Sequence, residues 1–470
     1  MARFFIWDPS SVTRRVKNES ERLRMNADTE HHRLQFATGT ALTLMLSVFI
    51  TTGGAYAAII GTNVPVPPLS EDRIAKLPSD AQKAWKEYLE HSKVQRAHDL
   101  EIFRREMRAH GLTNSLVPPS GHAAHSLPLD NRSVWYASAE ARGLADHVVS
   151  FQTPAGGWSK NLNLASHARR PGELFGPENG SQHLSPADFD APLDGVWNYV
   201  GTIDNDATTT EMQFLARVIA AVGERQSSEY KASFSRGLDY LLAAQFPNGG
   251  WPQVWPLQGG YHDAITINDG AMLEVLELLR NIGEGTDDFE FVSAQERTRA
   301  RTSFQRGLKC LLNLQVVMNG RRTIWCQQYE ALTLQPASAR NYEMPSLATG
   351  ESGNIVLYLM TLTDPEPAVV SAVYAATAWF EKNKMMDVAF KSTGKDGRHL
   401  VSAPGNGPIW ARYYEISDDR PIFGDRDKSI HDTVDEISYE RRKGYSWYTD
   451  SGKRALQHCV RWKKLHPLGE

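Results

Sequence analysis

The chain has 470 residues, enough for roughly two to four domains of ordinary size or for one large domain with an appendage. Hydrophobic residues make up 41% and charged residues 23% of the sequence, a globular composition that excludes a disordered or collagen-like protein. The formal net charge of −4 gives no bulk attraction to nucleic acid, and the three cysteines are too few for a disulfide framework.

An apolar segment near the N-terminus has the pattern of an export signal. Residues 34–60 carry no charged side chain, residues 31–33 (His-His-Arg) form a basic flank, and residues 55–57 (Ala-Tyr-Ala) fit the small-x-small cleavage pattern. The sequence therefore predicts a secreted or periplasmic protein whose signal peptide covers residues 34–57, with Met25 as a more usual start. An uncleaved membrane anchor is the alternative, because the apolar stretch is just long enough to span a bilayer.

The next region connects the signal to the main domain. Residues 61–70 (GTNVPVPPLS) are rich in proline and extended in character. Residues 71–110 are charged and have a helical period without a strong apolar stripe, which predicts a solvated helical hairpin. We expect three regions: an N-terminal extension with the signal peptide at 1–57, a linker and charged helical segment at 58–130, and the main domain at 131–470.

The main domain contains an internal repeat. Residues 151–161 read FQTPAGGWSKN and residues 245–255 read QFPNGGWPQVW, so that Gln precedes Trp by six residues in both copies. A degenerate third copy runs from Gln315 to Trp325. We interpret the repeat as structural, with Gln holding a loop and Trp packing over helix ends. Each copy follows a helical segment, and the recurrence of helices predicts an all-α fold, an α/α toroid whose loops gather at one end.

Local signals predict where some elements begin. Thr208 and Glu211 have capping-box spacing, and Asp269 stands where the N-cap of the next helix is expected. Strand signals are limited to short pieces at residues 323–326 and 409–414.

Polar residues concentrate in four loops near helix starts, at residues 202–208, 266–269, 339–347 and 410–427. The chain has no nucleophile elbow, Walker loop, dinucleotide fingerprint or zinc-protease motif. Taken singly, these residues have plainer interpretations: Asn and Asp as helix caps, Arg340 in a salt bridge with Glu343 or Glu351, and Lys160 as a surface lysine.

Taken together, these segments resemble polysaccharide lyase family 10, the pectate lyases. The resemblance covers residues 135–450 and implies an (α/α)₃ barrel with short irregular β pieces in its loops. It also implies β-elimination of α-1,4-linked polygalacturonate. The motifs are QTPAGGWSKN (152–161), IDNDATTTEMQFLARV (203–218), GGWPQVWPLQGGYHDAITINDGAM (249–272), WCQQYEALTLQPASARNYEMPSLATGES (325–352), RPIFGDRD (420–427) and ERRKGYSWY (440–448).

The resemblance assigns roles residue by residue. Arg340 matches the catalytic arginine of the family, which acts as the base. Asp204 and Asp269 match positions that face the Ca²⁺ ion or the substrate, and they are the candidate metal ligands. Four further residues match substrate-binding positions: Lys160, Asn205, Arg412 and Arg426. The expected partner is polygalacturonate, with no nucleic acid and no protein partner, and the protein is expected to be a monomer.

Elimination removes the C5 proton beside the uronate carboxylate, and the negative charge that develops calls for cations. Carboxylate-bound Ca²⁺ and basic side chains supply them. A guanidinium is normally always charged, so a base role for Arg340 requires a neutral guanidine. Position 206 departs from the family, because Asp206 stands where members often carry glycine.

Three other functions fit parts of the pattern. An inverting glycoside hydrolase would use Asp204 or Asp206 with Asp269 or Glu343 as its paired carboxylates. The Gln–Trp repeat also resembles that of triterpene cyclases, although the polar, arginine-containing loops disfavour that class. A non-catalytic pectin-binding module would need the basic and aromatic residues but not Arg340.

Overall fold

Helices dominate the part of the chain that the structure, a computed structural model, describes: residues 59–177, 188–189 and 200–468. The α-helices are α1 Glu71–Ile74, α2 Ser79–Ala109, α3 Ala123–Ser126, α4 Ala139–Ser150, α5 Thr209–Val222, α6 Ser228–Ala244, α7 Ala271–Glu284, α8 Ala294–Asn313, α9 Thr349–Leu359, α10 Pro367–Lys382, α11 Tyr439–Gly444 and α12 Ser451–Leu465. The expected helical protein with short strands in its loops is confirmed. The predicted export signal lies outside the described residues.

The strands are short, and most have two residues. They are β1 Gly61–Thr62, β2 Gly201–Thr202, β3 Val254–Trp255, β4 Ile265–Thr266, β5 Val317–Met318, β6 Arg321–Arg322, β7 Gln328–Tyr329, β8 Leu347–Ala348, β9 Val388–Ser392, β10 Arg398–Ser402, β11 Trp410–Ala411, β12 Tyr413–Tyr414, β13 Phe423–Gly424, β14 Ser429–His431 and β15 Tyr448–Thr449. The longest pair, the antiparallel hairpin β9–β10, was not predicted.

The main helices pack in two rows. Helices α4, α6, α8 and α10 contact one another in sequence, α5 contacts α7, and α4–α5, α5–α6, α7–α8 and α9–α10 contact each other across the rows. Helix α7 is apolar on more than one face, with Met272, Val275, Leu278 and Ile282 all buried. A helix that is apolar around most of its circumference must be covered on several sides, and the second row of helices supplies that cover.

The Gln–Trp repeat is structural, as predicted. Gln245 donates from Nε2 to the carbonyls of Gly249 (3.0 Å) and Ser303 (2.9 Å), so it ties its loop to the following helix of the row. Gln152 makes the equivalent two bonds, and so does Gln315 in the degenerate copy. The indole nitrogens of Trp158, Trp251, Trp325 and Trp410 each donate to a carbonyl near the end of a helix, at Val148, Leu241, Leu311 and Phe380.

This arrangement gives a stability prediction at Gln245. Gln245 is 5% exposed, and the substitution Gln245→Ala leaves two buried carbonyls and the Ser303 hydroxyl without their partner. We expect the free energy of unfolding to fall by about 2–4 kcal/mol. Urea unfolding measures it. The matched control is Gln82→Ala, which removes two similar bonds to the carbonyls of Ala75 and Leu77 at a more open site. Equal losses in both variants would contradict the prediction.

Short strands join the loops that precede helices α5, α7 and α9, which we call the inner helices. Strand β2 pairs with β3, β4 with β7, β8 with β12, and β11 with β15, each antiparallel. Because β2 precedes α5, β4 precedes α7 and β8 precedes α9, these pairs connect the loops at three helix N-termini into one surface. All four polar loops of the sequence contribute to it.

Residues 71–110 do not form the predicted hairpin. Helix α1 is one turn, and Pro78 separates it from α2, which then continues for 31 residues because no Gly or Pro interrupts it. Nor is α2 merely solvated. The Tyr88 hydroxyl donates to the Ala244 carbonyl at 3.0 Å, and the Leu257 amide donates to Ser92 Oγ at 2.8 Å, so α2 packs on the main helices.

Thr208 is the N-cap residue of α5, as predicted, but the capping box with Glu211 does not form, and the cap predicted at Asp269 is wrong. The Thr208 hydroxyl does not cap α5; it donates to the Thr202 carbonyl (2.8 Å) and accepts from the Trp158 amide (3.0 Å), which joins two loops. Gly270, not Asp269, is the N-cap residue of α7. Among the described helices, none is both long and apolar enough to cross a membrane.

Candidate active site

The loop before α5 presents Asp204 to a lysine from the first repeat. Lys160 Nζ lies 2.6 Å from Asp204 Oδ2, and the Asp204 amide donates to Thr202 Oγ1 at 3.1 Å. Burial alone would raise the pKa of Asp204, but the Lys160 ammonium, together with Gln253 and Arg340, lowers it below its ordinary value. The other carboxylate oxygen, Oδ1, is buried and has no hydrogen-bond partner among the described residues.

The same loop holds an unusual run of backbone conformations. Asn205 (φ 55°) and Asp206 (φ 61°) are both left-handed, which Asn and Asp tolerate better than other side chains. Asn205 Nδ2 donates to Asn161 Oδ1 at 3.3 Å, beside Lys160. Asp206 instead hydrogen-bonds with Glu274 of α7, whose pKa is held well above its ordinary value by burial and then by Asp206. The family departure at position 206 thus forms a carboxyl pair behind the loop.

Asp269 stands at the corresponding place before α7. It too is left-handed, with φ 52°, and Asn268 Nδ2 donates to its Oδ2 at 2.8 Å. The side chain reaches solvent, yet protein surrounds it closely enough that desolvation raises its pKa to about 6. The Asp204 carboxylate adds to this rise in pKa, whereas Arg412 and Arg340 oppose it. A carboxylate that is both accessible and desolvated indicates a concave site.

Arg340 lies on the loop between β7 and β8 and forms a bidentate ion pair. Its Nε donates to Glu343 Oε2 at 2.8 Å and its Nη2 to Glu343 Oε1 at 2.6 Å. The Arg340 side chain is 35% exposed and Glu343 is 2% exposed. Although burial opposes it, Glu343 holds the pKa of Arg340 well above its ordinary value. Nη1 makes no hydrogen bond within the described residues. The expected alternative of a salt bridge with Glu343 is therefore confirmed as a contact.

Three guanidinium groups surround the Tyr342 ring. Arg340 and Arg426 each lie 5.2 Å from its centroid and Arg441 lies 4.3 Å away, within the range of cation–π attraction. Arg426 also pairs with Glu440, at 3.2 Å between Nε and Oε2, and its side chain is 34% exposed. Arg426 and Arg340 therefore belong to one cationic surface, which contains the additional residue Arg441.

Arg412 is connected to Arg340 through phenol groups. Arg412 Nη2 donates to Glu351 Oε1 at 3.1 Å, and its Nε donates to the Tyr413 hydroxyl at 3.1 Å. The Tyr413 and Tyr445 hydroxyls are 2.6 Å apart, and Tyr445 donates to Glu343 Oε1 at 2.7 Å. This network fixes the two arginines relative to each other through groups that lie far apart in sequence.

The structure brings all seven candidate residues into one region. The positive charge of Arg340 acts on both Asp204 and Asp269, and that of Arg412 acts on Asp269, in each case as a contribution that lowers the pKa of the carboxyl group. His262 is buried near the same charges. Burial, and then Lys160 and Arg340, lower its pKa to about 3, although Asp204 acts in the opposite direction. Sequence reasoning did not give a site role to five groups here: Glu351, Tyr413, Tyr445, Arg441 and His262. Four of them lie in the family motifs at residues 249–272, 325–352 and 440–448, and Tyr413 lies in the polar loop at residues 410–427, so their positions were the available signal.

The carboxylates fit a hard cation in part. Asp204 has an unpartnered buried oxygen and Asp269 is accessible, and carboxylate oxygen is the donor that Ca²⁺ prefers. Among the residues that the structure describes, no three His, Cys, Asp or Glu side chains form a metal cluster. A cation here would therefore need further oxygen ligands from substrate or water.

Comparisons with known proteins agree with this site. A sequence model of the family described as pectic acid lyase matches residues 152–456. A solved structure of a family 10 polysaccharide lyase from Cellvibrio cellulosa is 31% identical, with a TM-score of 0.58, and the match covers 72% of this chain and 97% of that chain. A mutant of that lyase in complex with trigalaturonic acid gives the same identity and TM-score over 98% of its chain. No curated protein matches.

The family match spans more than half of the chain and includes every candidate residue. The protein belongs to the pectic acid lyase family, polysaccharide lyase family 10. It is a polysaccharide lyase.

Proposed function

We propose that this chain is a Ca²⁺-assisted pectate lyase that cleaves α-1,4-linked polygalacturonate by β-elimination and releases 4,5-unsaturated oligogalacturonates. The observation that carries the proposal is an accessible guanidinium, Arg340, in the same electrostatic field as the two carboxylates Asp204 and Asp269. The trigalaturonic acid bound to the similar Cellvibrio cellulosa mutant supports polygalacturonate as the substrate class.

The basic residues hold the uronate groups of the chain. Arg412 and Arg426 have the planar, two-pronged geometry that matches a carboxylate, and Lys160 supplies a point charge beside Asp204. Within the described residues Arg426 forms an ion pair with Glu440, which is 54% exposed, so a uronate can replace that partner at low cost. Asn205 offers an amide to sugar hydroxyls at the same rim. These four residues set the position of the ring whose C5 proton is removed.

Arg340 accepts that proton at Nη1, the nitrogen that the Glu343 pair does not use. The C5–H bond breaks, the C4=C5 double bond forms, and the C4–O bond breaks with the electron pair on the departing oxygen. Solvent protonates that oxygen. Asp204 and Asp269 would hold Ca²⁺, which when bound supplies positive charge for the uronate whose C5 is deprotonated.

A neutral guanidine at Arg340 must form against the Glu343 carboxylate, which favours the charged form. Arg441 and Arg426, on the same Tyr342 ring, act in the opposite direction because like charges disfavour a further positive charge. The base role therefore requires alkaline pH and the positive charge of the neighbouring substrate-binding arginines.

Features of the whole protein follow from the same proposal. We propose that the two rows of helices close into an (α/α)₃ toroid, with the active site at the end where the inner helices begin. Residues 131–470 form the catalytic domain, which residues 58–130 brace, and the protein acts outside the cytoplasm as a monomer.

The deciding experiment follows the ultraviolet absorbance of the unsaturated product on polygalacturonate, with and without EDTA. We expect absorbance to rise with time, EDTA to abolish the rise, and added Ca²⁺ to restore it. An inverting hydrolase would release reducing ends without the absorbance. The contacts disfavour Glu343 as the proton donor of such a hydrolase, because the ion pair with Arg340 outweighs burial and lowers the pKa of Glu343 to about 2. Absorbance that persists in EDTA would contradict the metal requirement.

A further inference from the structure

An N-terminal strap, residues 59–64, lies against the loops that carry the cationic surface. Strand β1 of the strap pairs antiparallel with β14, which places Gly61 opposite Ile430 and Thr62 opposite Ser429. The Ile60 amide donates to the Ile430 carbonyl at 2.8 Å, and the Ser338 hydroxyl donates to the Val64 carbonyl. The strap thus joins two segments of the active site that are some ninety residues apart, although it lies outside the residues that the family model matches.

Asn63 is the residue of the strap that contacts both loops. Its backbone amide donates to the Lys428 carbonyl at 2.7 Å. Its side-chain Nδ2 donates to the Asn341 carbonyl at 2.9 Å and to the Arg340 carbonyl at 3.2 Å. Asn63 is 3% exposed, and because both side-chain partners are acceptors, the NH₂ group must be the one that faces them.

The Arg340 loop is held by hydrogen bonds of its own residues as well as by the strap. It lies between β7 and β8, outside any helix or strand, and it is closed as a turn by the Glu343 amide, which donates to the Arg340 carbonyl at 2.8 Å. Asn341 Nδ2 donates in turn to the Arg426 carbonyl at 2.9 Å. Asn63 therefore completes a bridge between the backbone of Arg340 and the loop that contains Arg426.

We propose that Asn63 is a positioning residue for the lyase reaction, holding the Arg340 loop against the Arg426 loop so that the guanidine meets C5 of a bound uronate. This inference rests on the proposed role of Arg340. A base displaced by about 1 Å can lose about a hundredfold in rate, even when the substituted residue does not touch the reacting atoms. A residue that only stabilises the fold would lower Tm and leave kcat unchanged.

The test compares Asn63→Ala, Asn63→Asp and Gln82→Ala on polygalacturonate, well below the Tm of each variant. We expect Asn63→Ala to lower kcat about 10- to 100-fold with KM changed less than about threefold, and with the slope of log kcat against pH unchanged. Asn63→Asp should lower kcat further than Asn63→Ala does, because its carboxylate beside the loop favours the charged form of Arg340. Gln82→Ala should keep kcat and the profile.

The outcomes separate this inference from the proposed function. If Asn63→Ala and Asn63→Asp lower Tm but keep the wild-type kcat and pH profile, Asn63 is only structural and the inference is wrong. That result leaves the function intact, provided that Arg340→Ala is inactive. If Arg340→Ala itself keeps its turnover, the base assignment fails whatever Asn63 does. Should Asn63→Asp not fold, Asn63→Ala and Asn63→Ser still decide the inference through kcat.

Discussion

Arg340→Lys is expected to abolish nearly all lyase turnover, with kcat at least a hundredfold below that of the wild type. A positioned general base contributes about 10²–10⁴-fold, and lysine cannot place a proton acceptor where Nη1 stands while it also pairs with Glu343 through two bonds. The measurement is the initial rate of absorbance increase on Ca²⁺-saturated polygalacturonate, together with Tm to confirm folding.

The pH dependence is part of the same expectation. Because Glu343 holds the pKa of Arg340 above its ordinary value, the neutral fraction is small at neutral pH and rises about tenfold for each pH unit. Activity should therefore increase into the alkaline range. The matched control is Arg169→Lys, which removes a similar bidentate pair with Glu106, at 3.0 and 2.5 Å, and should keep kcat and the profile. An Arg340→Ala variant that retains most of its turnover would refute the assignment.

Much of the fold was predictable because local chemistry and tertiary packing agree. The Gln–Trp repeat marks helix ends in three copies, since a buried amide needs two carbonyl partners and an indole nitrogen needs one. The failures occur where tertiary contacts take over a side chain. Thr208 has the sequence of a cap, but its hydroxyl joins two loops instead, and α2 looks solvated until Tyr88 and Ser92 meet the helices they cover.

The active site was predictable in its residues more than in its connections. The motifs identify Asp204, Asp269 and Arg340, yet no local pattern shows that Tyr445, more than a hundred residues away, donates to Glu343. The strap, residues 59–64, is the clearest example of a contact that the sequence could not predict. Residues 61–70 have the composition of a linker, and the contact of Asn63 with Arg340 spans 277 positions, so it exists only once the whole chain has folded.

Asp269→Asn should remove most activity and the response to Ca²⁺ while leaving the fold intact. Asparagine is the same size and tolerates the left-handed backbone at this position, so the substitution changes charge rather than conformation. Because Asp204 raises the pKa of Asp269, removal of one charge also relieves a like-charge repulsion, and Tm should stay level or rise. The measurement is the lyase rate as a function of Ca²⁺ concentration. At saturating Ca²⁺ the rate should be at least a hundredfold below that of the wild type, a loss of about 2.7 kcal/mol of transition-state stabilisation. The matched control is Asp206→Asn. Asp206 also has a left-handed backbone, but its carboxylate hydrogen-bonds with Glu274. The Ca²⁺ dependence of this variant should therefore match that of the wild type. If Asp206→Asn loses the Ca²⁺ response and Asp269→Asn keeps it, the assignment of these two carboxylates is reversed.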